Sequence, residues 1–75
     1  MKATTENVLL TKQDTGNGSW IVKGFCIDTQ EYRSMLTNDS MLIDDAFNCD
    51  EGETNYFDSV EEAKQALIDE IFNIL

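Results

Sequence analysis

The last seventeen residues, Ser59 to Leu75, constrain this chain most. Val60, Ala63, Leu67, Ile71 and Ile74 recur at three- and four-residue spacing, and Ile68, Phe72 and Leu75 widen the stripe. That period predicts an amphipathic helix from about residue 60 to the C-terminus, ~22 Å long at 1.5 Å per residue. Ser59-Val60-Glu61-Glu62 fits a capping box. The Ser59 hydroxyl is expected to accept from the Glu62 amide, and the Glu62 carboxylate from the Ser59 amide. Asp58, Glu61 and Glu62 sit where the helix dipole favours negative charge. An apolar stripe this broad must be covered, and only 58 residues remain to cover it. A chain of 75 residues holds one domain and buries only about 60% of its unfolded surface.

The cover reads as antiparallel sheet. Residues 5–12 (TENVLLTK) form a short apolar run that predicts a strand. Residues 13–18 contain Gly16 and the Asn17-Gly18 pair, a signal for a tight hairpin turn. Residues 19–28 (SWIVKGFCID) are rich in β-formers and predict the clearest strand, running on toward Tyr32. Simple alternation leaves neither of its faces clean, so a bulge is expected at Gly24. That bulge would put Trp20, Val22, Phe25 and Ile27 in the core, with Lys23, Cys26 and Asp28 outside. A turn follows at residues 37–40, then a third strand over 41–47, an acidic loop over 48–53 and a short fourth strand over 54–57. The expected fold is α+β: a three- or four-stranded antiparallel meander packed against one C-terminal α-helix, in a single small acidic domain spanning 1–75.

Charge is divided unevenly along the chain. Residues 1–33 carry four acids and four bases. Residues 34–75 carry eleven acids and one base, Lys64, so the whole net charge of −10 lies there. An 8.5 kDa domain exposes roughly 4,700 Å². Ten charges on half of that make about one per 230 Å², against roughly one per 100 Å² for duplex DNA treated as a rod. This balance argues against direct nucleic-acid binding and against an anionic membrane surface. No apolar run approaches the ~20 residues of a membrane span, and MKATTEN has no apolar signal region, so a cytoplasmic location is expected. Cys26 and Cys49 are not in a Cys-x-x-Cys pattern, and free thiols serving as small core residues are expected.

No catalytic chemistry is legible. Histidine is absent, as are a nucleophile elbow, a phosphate loop and a dinucleotide fingerprint. Neighbouring carboxylates such as Asp44-Asp45 and Glu61-Glu62 do not converge on one atom on a strand or helix. A calcium loop aligned on Gly52 would begin at Phe47, where an acid is required. Weak divalent binding by Asp50, Glu51 and Glu53 is a minor alternative. No cofactor, dedicated metal site or enzyme activity is expected.

The reading that uses the charge division is a non-enzymatic inhibitor whose acidic face occupies a basic, nucleic-acid-binding surface of a partner protein. Its candidate contact residues are Asp44, Asp45, Asp50, Glu51, Glu53, Tyr56, Glu61 and Glu62. In size, charge and lack of catalytic motifs the chain resembles small acidic phage proteins directed against restriction or CRISPR machinery. The alternative is a structural or oligomerising module whose charge serves solubility. Under either reading, a homodimer through Phe72 and Leu75 is possible if the stripe exceeds its cover.

Overall fold

The computed structural model describes residues 2–50 and 52–73. Three strands, β1 (Val8–Asp14), β2 (Trp20–Cys26) and β3 (Tyr32–Thr37), form an antiparallel meander in the order β1-β2-β3. A short helix α1 (Ser40–Ile43) runs into a single π-helical turn over Asp44–Asn48, and α2 (Val60–Ile71) follows, ending at Ile71 with Phe72 as its C-cap, short of the run to the C-terminus that the period predicts. The α+β architecture is as expected, but two elements are not. Residues 41–47 are helical, and 54–57 form an irregular loop. Met41-Leu42-Ile43 is too short a run to fix a period. Asp39 settles it, because its carboxylate caps α1 by accepting from the Leu42 amide at 3.1 Å. The third strand lies earlier, at Tyr32–Thr37, beyond a connection in which Gln30 adopts φ 61°.

The hairpin loop is also wider than a two-residue turn. The β1–β2 ladder ends at Asp14↔Trp20, leaving five residues, 15–19, with Gly16 and Gly18 both at positive φ. Asn17 ties this loop by accepting from the Ser19 hydroxyl at 2.8 Å.

β2 carries no bulge. Its register is continuous from Val8↔Cys26 to Asp14↔Trp20 on one side and from Trp20↔Thr37 to Phe25↔Tyr32 on the other. Simple alternation therefore holds. Val22, Gly24 and Cys26 face the core, whereas Phe25 is half-buried on the other face and Ile27 is exposed. Gly24 replaces a side chain with space. A Cβ there would stand 2.7 Å from the Phe72 ring, so the absence of one lets the end of α2 lie against the sheet. Arg33, across from Gly24 on β3, places its guanidinium 5.7 Å from the centre of that ring and donates to the Ile71 carbonyl at 3.4 Å. The Phe72 ring is thus packed within the fold rather than left as a free apolar end. Leu75 lies outside the described residues.

The α2 stripe is buried at Ala63, Leu67, Ile68 and Ile71. With Val22, Leu42, Ile43 and Ala46 most of it forms one core cluster, while Ile68 joins Ala3, Val8 and Cys26 in a second. Both cysteines are free, and only Cys26 is core filler. At the start of α2 the Ser59 hydroxyl accepts from the Glu62 amide at 3.1 Å as expected. The Glu62 carboxylate instead reaches the Asp58 amide, at 3.2 Å. The N-terminal segment docks on the same helix through side chains. Asn73 and Gln65 both donate to the Ala3 carbonyl, at 2.9 and 3.1 Å. Asp69 accepts from both amides, at 2.9 and 3.0 Å, which orients them and holds its own carboxyl below the usual range.

Candidate functional site

The acidic side of the molecule is built on the π-turn, the loop that follows it and the outward arc of α2. At ~100° per residue, the four buried α2 residues fall within about 140°. Glu61, Glu62 and Glu70 stand exposed on the remaining arc among Gln65, Ala66 and the half-buried Asp69. The loop from residue 49 to 58 carries Asp50, Glu53, Tyr56 and Asp58, all exposed. Glu51 lies outside the described residues.

Asp45 holds that loop in place. It is fully buried, and its two carboxylate oxygens accept from three successive amides: Asn55 at 2.8 Å, Tyr56 at 2.8 Å and Phe57 at 3.0 Å. The Asn55 side chain adds a bond at 3.1 Å and the Cys49 thiol a longer one at 3.7 Å. Burial alone would raise the Asp45 pKa. The amide donors outweigh it and hold the group down at about 2. A residue expected to meet a partner is therefore an internal fastening, because nothing of it reaches the surface. Its adjacent position, Asp44, is half-buried and accepts from the Asn55 side chain at 2.7 Å.

Asp44, Asp45 and Cys49 offer ligand atoms within 4.8 Å of one another. A carboxylate has about four acceptor sites, and Asp45 already receives five donors. The group reads as a closed hydrogen-bond cluster. Burial and the two aspartates beside it push the Cys49 thiol up to about 11, so it stays protonated and unreactive at neutral pH. In the sequence Asp44 and Asp45 are equivalent. Only the π-turn, which aims one inward and leaves the other at the rim, separates them.

The remaining candidates divide by what they touch. Asp50 and Glu53 stand in solvent on the pinned loop. Glu61 accepts from the Thr5 hydroxyl at 3.0 Å, and Glu62 caps its own helix. Tyr56 is 73% exposed, with its ring edge-on to Phe57 at a centroid distance of 5.2 Å. Because its amide is bound by Asp45, this aromatic is displayed from a fixed backbone. Among the described residues, the ion pair is Arg33–Glu31 at 2.7 Å, in the half of the chain that is already neutral.

No protein-family model matches the chain, and no curated protein or solved structure matches it significantly. No helix among the described residues is long and apolar enough to cross a membrane.

Proposed function

We propose that this chain is a non-enzymatic protein-binding inhibitor whose acidic side occupies a basic, nucleic-acid-binding surface of a partner protein. The observation that carries the reading is uncompensated charge. Among the described residues, no acid of residues 34–75 has a basic side chain within 4.0 Å. The accessible surface is 4859 Å², and with Asp45 buried, about nine net charges on half of it make about one per 270 Å². That is a little over a third of the surface density of duplex DNA treated as a rod. Asp45 is buried and leaves the contact set, which keeps Asp50, Glu51, Glu53, Tyr56 and the outward carboxylates of α2, with Asp45 holding the loop that displays Tyr56.

The test is the affinity for a partner captured at low salt, compared with Asp50→Lys/Glu53→Lys at ~0.05 and ~0.3 M salt. Wild-type binding should weaken steeply with salt, mostly through the on-rate, and should displace nucleic acid from the partner. The double reversal should weaken it by about tenfold while leaving the melting temperature unchanged or higher, because repulsion within the loop falls. Binding that is insensitive to salt and to the reversal defeats the proposal.

A further inference from the structure

We propose that the outer face of the sheet is a self-association surface, on which two copies of this chain pair sheet against sheet about a two-fold axis. Antiparallel sheets commonly turn one face to water, but that face is then polar. Here Leu9, Tyr32 and Leu36 are each about two-thirds exposed. The ladder sets Leu9 and Tyr32 on either side of Phe25, and Leu36 across from Ile21. One apolar row, Leu9–Phe25–Tyr32, therefore crosses all three strands, and a second, Ile21–Leu36, spans two of them beside Gln13, with Phe25 and Ile21 half-buried between their exposed neighbours.

Charge selects the occupant. The outward positions are 9, 11 and 13 on β1, 21, 23 and 25 on β2, and 32, 34 and 36 on β3, and none is acidic. Two chains of net −10 can meet here without setting one carboxylate against another, which the helix layer does not permit. Area agrees. Three strands ~4.8 Å apart and about 20 Å long make a backbone footprint of roughly 14 by 20 Å. Protruding side chains enlarge this footprint, which places the face at or below the ~800 Å² per partner of a standard interface, the range of weak self-association. Two such faces pack at ~10 Å in a sandwich, as an isologous contact.

Lys23 stands at the centre of the face, between Thr11 and Ser34. In a two-fold pair the two lysines approach the axis, their stems covering apolar surface and their ammonium groups repelling. The association is accordingly weak and reversible. The same lysine discriminates between occupants. A different protein bringing a carboxylate to Lys23 would lose affinity when that charge is removed, whereas a second copy gains.

The surface lies on the layer opposite the outward carboxylates, so its test uses the purified full chain and does not depend on the inhibitor reading. Sedimentation equilibrium from about 5 µM to about 1 mM should show a dimer that tightens at least ~3-fold between ~0.05 and ~0.5 M salt, as repulsion is screened. Leu36→Glu and Tyr32→Glu, both at exposed positions and checked for folding by circular dichroism, should each weaken it at least ~10-fold, since each sets glutamates face to face. Lys23→Gln should tighten it ~3-fold. A monomer at the highest concentration and salt, or a dimer indifferent to both glutamates, overturns the proposal. A dimer weakened by Lys23→Gln overturns it as well, and points to a carboxylate-bearing occupant.

Discussion

The outer face of the sheet and the acidic side of the helix layer differ in what fixes their side chains. On the sheet, strand parity does all the sorting. Ile21, Lys23 and Phe25 point out because Val22, Gly24 and Cys26 point in. On the acidic side, residues of one type do unrelated jobs. Asp45 is buried and binds three amides, Asp69 orients two side-chain amides, Asp39 caps α1, and Asp50 and Glu53 stand in solvent. A count of acids therefore overstates the carboxylates available to a partner. A count of exposed apolar residues on the sheet does not mislead in the same way, because exposure there follows from position.

The largest effect is expected where the two layers meet. Leu67 is fully buried between them. Leu67→Ala should cost about 2–5 kcal/mol in denaturant unfolding, a large fraction of the stability of a small domain. A cost under ~1 kcal/mol would break the two-layer packing.

Next is the fastening. Asp45→Asn keeps the shape but removes the charge that three amides share, and should lower the melting temperature by on the order of 10 °C. Asp44→Asn should move it little. The difference between wild type and Asp45→Asn should also depend on pH. The folded pKa is about 2, below the ordinary 3.8, so the stabilisation is complete above pH ~4 and is lost as pH falls toward 2. Melting curves of both proteins from pH 7 to pH 2 should therefore converge at the acid end. Parallel curves would assign the loss to shape and not to ionisation.

A smaller effect tests the seam at the end of α2. Gly24→Ala introduces a Cβ at 2.7 Å from the Phe72 ring and should cost about 1–2 kcal/mol. Phe72→Leu should recover part of it in a double-mutant cycle, because the two sites touch. Smallest is Tyr56→Ala. With its ring in solvent and its backbone held by Asp45, it should change stability by no more than ~0.5 kcal/mol, and chemical denaturation checks this directly. Any larger loss of binding to a captured partner would then be a contact effect, sharpening the assignment of Tyr56 to the acidic surface.

Local pattern determined much of this molecule. The 3.6-residue period and Ser59 placed α2, because a helix start and an apolar stripe are encoded within a few turns of chain. Gly16, Asn17 and Gly18 placed the first hairpin for the same reason, although five loop residues rather than two close it. The charge division was legible outright. Tertiary structure decided the rest. The apparent bulge at Gly24 dissolved because Phe72, 48 positions away, occupies the space that a side chain would take. Residues 41–47 became helical because capping by Asp39 and burial of Leu42, Ile43 and Ala46 against α2 outweigh a β-prone triplet. Asp44 and Asp45 are adjacent and chemically identical in the sequence. Which one faces three amides and which stays half-buried at the rim, bound to the Asn55 side chain, depends on where the loop at 55–57 returns, and that is a property of the folded chain.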